Sequence, residues 1–434
     1  MKPGTIDASA LRELRDERLD WRFKGLSSAL WGRTLGDAAA TRPNLFTSGF
    51  VGPMVVLESA PLEHNLRTMA AWCDDHGVAL APHGKTTMAP QLFARQLDHG
   101  AWGITAANAA QLRVYRAFGV SRVLLANQLV DPAALRWLAV ELADDPAFEF
   151  CCWVDSVRGV ELMTEALADA VRPVDVLVEL GAEGGRSGVR DTATAFSIAD
   201  AVAASPVLRL AGTGGYEGVL AGDATPASLR RIGSYLDGLR ALTVTLAEAG
   251  HFRNVPRVLV TAGGSAYFDV VADGLTNGWP AGLDVLPVLR SGAYLTHDDG
   301  AYRAVSPLGD TPRSNGAALR SALRAWAHVT SRPEPGLALL TLGRRDASFD
   351  AGLPEPQLRR AARGGPPERL AGHTVTKLND QHAFVALPPD SPLEVGDWVG
   401  LGLSHPCTVF DKWALLPVVG EDGETVVDFV RTYF

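Results

Sequence analysis

Lys85 stands in the run Ala81-Pro82-His83-Gly84-Lys85-Thr86-Thr87, directly after the apolar stretch Val78-Ala79-Leu80 and before a helical pattern. In a chain that repeats strand and helix, the C-terminal end of a strand is where a barrel enzyme gathers its reactive groups. Partial desolvation there lowers a lysine's pKa, so that it can act as a base or form a Schiff base; a solvated loop lysine fits the same segment. Near the other end, Ser404-His405-Pro406-Cys407-Thr408 sets an imidazole and a thiol two positions apart. In an extended segment residues i and i+2 share a face, so both side chains would reach one metal ion. Nitrogen with soft sulfur suits zinc better than magnesium or calcium, and two protein ligands leave the open positions that a catalytic zinc requires. A buried cysteine beside an ordinary histidine has the same spacing.

These groups need a scaffold. From residue 52 apolar strand candidates alternate with amphipathic helical stretches: Met54–Leu57, Val78–Ala81, Trp102–Thr105, Val123–Ala126, Phe148–Val154, Val174–Leu180, Leu208–Gly212, Val258–Thr261 and Val285–Leu289. Alternation of this kind predicts parallel strands joined by right-handed crossovers. A closed barrel takes eight strands, so Met54–Leu57 is set aside as a connector and Lys85 follows barrel strand one. After about residue 312 short strands with turn residues replace the alternation, which predicts a separate β-rich domain. The Pro/Gly/Arg-rich stretch Leu353–Gly372 reads as a long loop. The expected organisation is an N-terminal segment over 1–51 packing on the β domain, a barrel over 52–311, and a β-rich domain over 312–434.

Composition narrows the function classes. With 47% apolar and 21% charged residues, 434 residues describe a globular protein with ample core. No apolar run approaches the ~20 residues of a membrane span. The charged N-terminal stretch lacks a secretion core, so a cytoplasmic location is expected. Forty basic and 49 acidic residues, spread without blocks, give no nucleic-acid footprint. Four cysteines make no disulfide framework. Cys151 and Cys152 should face opposite sides of one strand, Cys73 should lie on a helix's apolar stripe, and Trp102 and Trp153 read as core.

The lysine segment resembles the Pro-His-x-Lys-Thr motif of the D-serine dehydratase and D-threonine aldolase family, and His405-Pro406-Cys407 resembles the metal motif of that family's second domain. Glu179-Leu180-Gly181 through Gly185-Arg186-Ser187-Gly188-Val189, Gly215-Tyr216-Glu217-Gly218, Gly263-Gly264-Ser265, Arg290-Ser291-Gly292-Ala293-Tyr294, Asp350-Ala351-Gly352 and Gln381-His382 resemble further family segments in order. The likeness spans about residues 52–415. Ala81 stands where the family usually has Arg, Thr86-Thr87-Met88 replaces Thr-His-Lys, and Gln381 replaces a frequent acidic residue.

The resemblance implies an alanine-racemase-like fold, a TIM-type (β/α)8 barrel plus a C-terminal β-rich domain, in pyridoxal-phosphate fold type III. It implies pyridoxal 5'-phosphate on Lys85, which also serves as base; His83, two positions away and on the same side of a continued strand, would tune the lysine or simply pack. Arg186 would contact the phenolic oxygen and Tyr216 would lie near the pyridine. Gly263, Gly264, Ser265, Gly292 and Tyr294 would hold the phosphate; the two glycines followed by a hydroxyl also suit a phosphate on their own account. Zn2+ would sit on His405 and Cys407, with His382 near it in a catalytic role. The implied partner is a small D-amino acid, and the implied assembly a homodimer. A zinc-assisted loss of the β-hydroxyl, giving a 2-oxo acid and ammonia, is the expected reaction. Retro-aldol cleavage to glycine and an aldehyde is the alternative; aldolases of the family typically have Asp where Cys407 stands. A non-catalytic cofactor carrier of the single-domain type would lack the second domain and the metal motif, and a racemase would not need His405 and Cys407.

Overall fold

The computed structural model describes residues 2–434. The first strand, β1 (Met54–Glu58), stands apart from the barrel. Eight parallel strands follow: β2 (Ala79–Leu80), β3 (Ile104–Ala106), β4 (Arg122–Gln128), β5 (Glu149–Val154), β6 (Val174–Leu180), β7 (Leu208–Gly215), β8 (Val258–Ala262) and β9 (Val285–Leu289). They pair in sequence from β3 to β9, and β9 pairs β2. The ring closes between β2 and β3, where Trp102 N–H donates to Leu80 O at 2.7 Å and Thr105 N–H to Pro82 O at 2.9 Å. The expected (β/α)8 barrel is therefore present.

Local chemistry sets its helices. Asn108, Asp131, Ser156, Asp191 and Thr225 precede five of them and accept first-turn N–H bonds through their side chains. Pro132 and Pro226 then open two of these helices where a missing N–H costs nothing. The strand periodicity sorts the cysteines as expected: Cys151 packs inside the barrel with Leu124, Trp153 and Leu177, while Cys152 faces the outer core.

The second sheet contains β10 (Leu323–Glu334), β11 (Leu337–Leu340), β12 (Glu355–Arg360), β13 (Glu368–Arg369), β14 (Thr374–Leu378), β15 (Ala383–Ala386), β16 (Trp398–Gly402), β17 (Leu415–Val419) and β18 (Val426–Arg431). β1 joins it, antiparallel to β10 and parallel to β17. A boundary at residue 52 thus puts a strand of this sheet with the barrel; all four core positions of β1 are buried by the second sheet's needs, which its apolar run does not reveal. The expected loop over Leu353–Gly372 also contains β12 and β13. Pairing with β16 orders that stretch, against its composition. The segment before β1 touches both bodies: Gly4 N–H donates to Ala101 O at 3.1 Å, and Arg431 pairs Glu17 at 2.9 Å. No helix among the described residues is long and apolar enough to cross a membrane.

Charge is distributed unevenly along the barrel axis. At the strands' N-terminal ends cations are neutralised by neighbours on an adjacent strand or its approach: Arg122 with Glu149 at 2.6 Å, Arg209 with Asp175 at 2.6 Å and Arg257 with Asp284 at 2.9 Å. The C-terminal end is different and is described below.

Strand β7 packs so tightly on β8 that a Cβ on Gly212 would lie 1.8 Å from the Leu259 carbonyl oxygen. Backbone cannot yield as a flexible side chain does, so Gly212→Ala should destabilise the fold by about 3 kcal/mol or more. A lowered denaturant midpoint checks this; an unchanged midpoint would contradict the strand packing.

Candidate functional site

The C-terminal ends of the eight barrel strands and the loops after them enclose a cavity of about 330 Å³, lined by His83, Lys85, Asn127, Trp153, Arg186, Ser187, Tyr216 and Arg290 among others. Lys85, Arg186 and Arg290 make no ion pair among the described residues. Arg290 is fully desolvated: it donates to Thr261 Oγ1 at 2.7 Å and Gly215 O at 2.6 Å, its carbon lies 4.9 Å from the Trp153 ring centre, and its Nε has no partner. Arg186 stands 4.7 Å over the Tyr216 ring. Burial pushes the Lys85 amine below its ordinary value, and Arg186 and Arg290 push it further against the opposing Cys407 thiol. His83 lies beside it, held well below its normal pKa by burial and by Lys85 and Arg290, so the ring is neutral and its Nδ1 is unpartnered. A buried, unneutralised cation costs several kcal/mol. Arg290 is such a cation, and with Lys85 and Arg186, which are accessible at the cavity and also unpaired, it calls for an anionic ligand.

Two expectations need correction. Gly263 and Gly264 do form an anion-binding turn after β8, but the anion is a protein carboxylate: their N–H groups donate to Glu217 at 3.0 and 2.7 Å. Glu217 is wholly buried, and burial raises its pKa against the pull of Arg290 and these amides. A glycine turn serves any anion of the right reach, and the residue that fills it lies 46 positions away. Ser265 ties this turn to the one after β9, receiving the Ala293 N–H at 3.1 Å and the Ser291 hydroxyl at 3.2 Å. Gly292 packs against His83, where a Cβ would meet the His83 carbonyl oxygen at 2.6 Å. Tyr294 faces away: its hydroxyl accepts from Gln96 Nε2 at 3.2 Å inside the core. Conversely Trp153, read as core, is buried in the barrel interior and also floors the cavity.

The second sheet contributes the loop after β16. His405 and Cys407 are brought together by a turn, not by the extended segment assumed from their spacing: His405 has φ +50° and Cys407 opens a short helical turn, Cys407–Phe410. His405 Nδ1 meets Asp350 Oδ2 at 2.5 Å, and Thr408 donates to the other Asp350 oxygen at 2.8 Å. Cys407 Sγ lies 3.3 Å from Thr86 Oγ1, next to Lys85. The neighbouring Cys407 sulfur and the Asp350 carboxylate raise His405 to about 9 against burial. Burial alone would raise the Cys407 thiol, but His405, Thr86 and Lys85 outweigh it and hold the thiol below its ordinary value. A carboxylate on one ring nitrogen, leaving the other without a protein hydrogen bond, is the arrangement that orients a metal-binding histidine. Among the described residues no group of three or more His, Cys, Asp or Glu converges as a metal shell; the pair supplies two donors.

His382 does not join them. It is exposed in the turn between β14 and β15, where its carbonyl accepts the Asn379 N–H at 2.8 Å. Sequence reasoning missed Arg290, Glu217, Asp350 and Trp153 as members of the site. Arg290 and Glu217 were within reach, being charged residues inside glycine-rich turns after strands; Asp350 becomes His405's partner only through the tertiary fold.

The chain is similar to the D-threonine aldolase of Arthrobacter sp, 31% identical over 375 residues that cover 86% of this chain and 89% of the relative. The chain belongs to the D-threonine aldolase and D-serine dehydratase family. Residues 57–271 match the alanine racemase N-terminal domain and residues 322–419 the putative serine dehydratase domain. Among solved structures, the D-threonine aldolase of Filomicrobium marinum superposes with a TM-score of 0.74 at 25% identity, covering 88% of this chain and 95% of that one. A variant of D-threo-3-hydroxyaspartate dehydratase with a histidine replaced by alanine gives 0.72 at 21% identity, covering 92% and 98%. Both share the barrel and the second sheet described above.

The thiols differ enough to be told apart in solution. Cys73, Cys151 and Cys152 are buried and pushed well up, whereas Cys407 is partly exposed and lies below the ordinary 9.0. Its thiolate forms as pH rises through that lowered value, so iodoacetamide should label Cys407 first in metal-free protein, with a rate that levels off at lower pH than for free cysteine. Peptide mass spectrometry checks this; equal labelling of all four cysteines would contradict the site's electrostatics.

Proposed function

We propose that this chain is a pyridoxal-phosphate-dependent lyase of D-3-hydroxy amino acids, and that it removes the β-hydroxyl and the amino group to give a 2-oxo acid and ammonia. The observation that carries the reading is the cavity itself: a lysine of lowered basicity sharing it with two unpaired guanidinium groups, with a histidine–thiol pair delivered beside it by the second sheet. The donor set fits the cofactor. Lys85 offers an amine of lowered basicity for its aldehyde carbon, Arg186 and Arg290 would offset its negative charge, and the loops after β8 and β9 that carry Ser265 and Gly292 would receive its phosphate. The cofactor supplies an electron sink that makes the α-proton acidic. His405 and Cys407 fit zinc by donor type, and zinc there would supply Lewis acidity toward a β-oxygen.

The remaining work falls to the chain. Lys85 takes the α-proton, a role open to a lysine whose neutral form is favoured by burial and by two nearby cations. Neutral His83 and Trp153 line the cavity beside that amine. Asp350 holds the His405 ring through Nδ1 and leaves its other nitrogen free. Net, the substrate loses water and then regains it as the amino group leaves, so the products are one 2-oxo acid and one ammonia per substrate.

Retro-aldol cleavage to glycine and an aldehyde is the second reading, favoured by the 31% identity to a D-threonine aldolase. The Cys407 thiol supports dehydration: the structures of the D-threo-3-hydroxyaspartate dehydratase include a metal-free form with a cysteine replaced by alanine, two positions beyond the histidine replaced in another.

Holoenzyme incubated with D-3-hydroxy amino acids should release ammonia and a 2-oxo acid in equal amounts, and little glycine. Lys85→Ala should lose the cofactor's protein-bound absorbance and at least about 10³-fold in rate. Chelation should stop ammonia release while that absorbance persists. Glycine and aldehyde as main products would move the aldolase reading to first place, and a wild-type rate in Lys85→Ala would end both.

A further inference from the structure

Asp298 is 2% exposed and lies between the last barrel turn and the loop that bears His405 and Cys407. One carboxylate oxygen accepts the N–H groups of Gly300, Tyr302 and Arg303 at 3.0, 2.9 and 3.2 Å, gathering the first turn of the five-residue helix Ala301–Val305. The other oxygen accepts the His405 N–H at 2.9 Å. Asp298 forms no ion pair among the described residues. Its charge is met by four backbone amides, three on its own segment and one across 107 positions.

Helix capping accounts for the first oxygen and not the second. The second holds His405 at φ +50°, a conformation that non-glycine residues seldom adopt without an outside hold. Around this bond a ring of contacts closes. Asp299 N–H donates to Leu403 O at 2.8 Å, Ala301 N–H to Ser404 Oγ at 3.2 Å, and Ser404 Oγ to Ala351 O at 2.8 Å, beside the Asp350 that holds the His405 ring. A Cβ on Gly300 would lie 2.4 Å from Ser404 Oγ, so the two segments meet at backbone distance.

We infer that Asp298 is a positioning residue for the metal: it clamps the His405 backbone to the barrel's end and thereby sets where His405 and Cys407 present their donors. This rests on the proposed zinc reading of that pair. Asparagine is nearly isosteric but turns one oxygen into an N–H donor, which cannot accept from His405 and Tyr302 together.

The test is zinc affinity of the cofactor-loaded protein, titrated with Zn2+ against a chromogenic chelator, for wild type, Asp298→Asn, Asp298→Ser and, as a control, Asp310→Asn. Asp298→Asn and Asp298→Ser should weaken zinc by about tenfold or more, the range seen when an outer partner of a metal ligand is removed. The cofactor absorbance should be unchanged, and Asp310→Asn should match wild type. Cobalt(II) put in place of zinc should show an altered ligand-field spectrum in the two Asp298 variants, which a general loss of stability would not produce. Wild-type zinc affinity in both Asp298 variants overturns the inference while leaving the zinc reading intact. Absence of zinc binding by wild type overturns both. Loss of folded protein or of the cofactor band in both variants makes Asp298 a determinant of the fold and overturns it as a clamp for the metal loop.

Discussion

Three cations without carboxylate partners meet at the C-terminal mouth of the barrel, and much of the structure answers to that imbalance. The opposite mouth shows the alternative, since Arg122, Arg209 and Arg257 there each sit in a close ion pair. Arg290 could have been neutralised in the same way by Glu217, yet the two are held apart: Glu217 turns to the amides of Gly263 and Gly264, and Arg290 to Thr261 and Gly215. The guanidinium is fixed by neutral acceptors, so its charge remains available to the cavity. Its field, with that of Arg186, favours the neutral lysine amine on which the proposed chemistry depends.

A barrel mouth alone would be half a site. The second sheet completes it because its β16–β17 connection reaches Thr86, the neighbour of Lys85. Several bonds hold that approach: Lys24 reaches Asp346 at 2.9 Å and stands 3.8 Å over Trp413, Tyr433 N–H donates to Met88 O at 2.9 Å, and Asp299 N–H donates to Leu403 O at 2.8 Å. Residues from both chain ends therefore fix the distance between lysine and thiol. Chemistry that needs an α-carbon at one group and a β-oxygen at another requires that spacing to be rigid.

Patterns of strand and helix carried much of this into view from sequence. Eight barrel strands, the displacement of Met54–Leu57 from the barrel and the change to β structure after residue 312 all follow from period and from the count that closure demands. Lys85 and the His405–Cys407 pair were visible as residue types at strand and loop positions. What misled was local inference about geometry. The i, i+2 argument supposed a strand where a left-handed residue and a helical turn do the work, and the glycine turn was read as open for phosphate when a distant glutamate fills it.

The sequence by itself determined the periodicities, the turn chemistry and the supply of reactive groups, because each depends on residues within a few positions of one another. Helix starts at Asn108, Asp131, Ser156, Asp191 and Thr225 are of this kind. Tertiary structure alone decided which charges are neutralised and which are not. The partners of Arg290, Glu217, His405 and Cys407 lie between 29 and 321 residues away, and whether an ionisable group is desolvated depends on everything packed around it. Reactivity at this site is a property of burial and of missing counter-charges, and neither is written in any local stretch of chain.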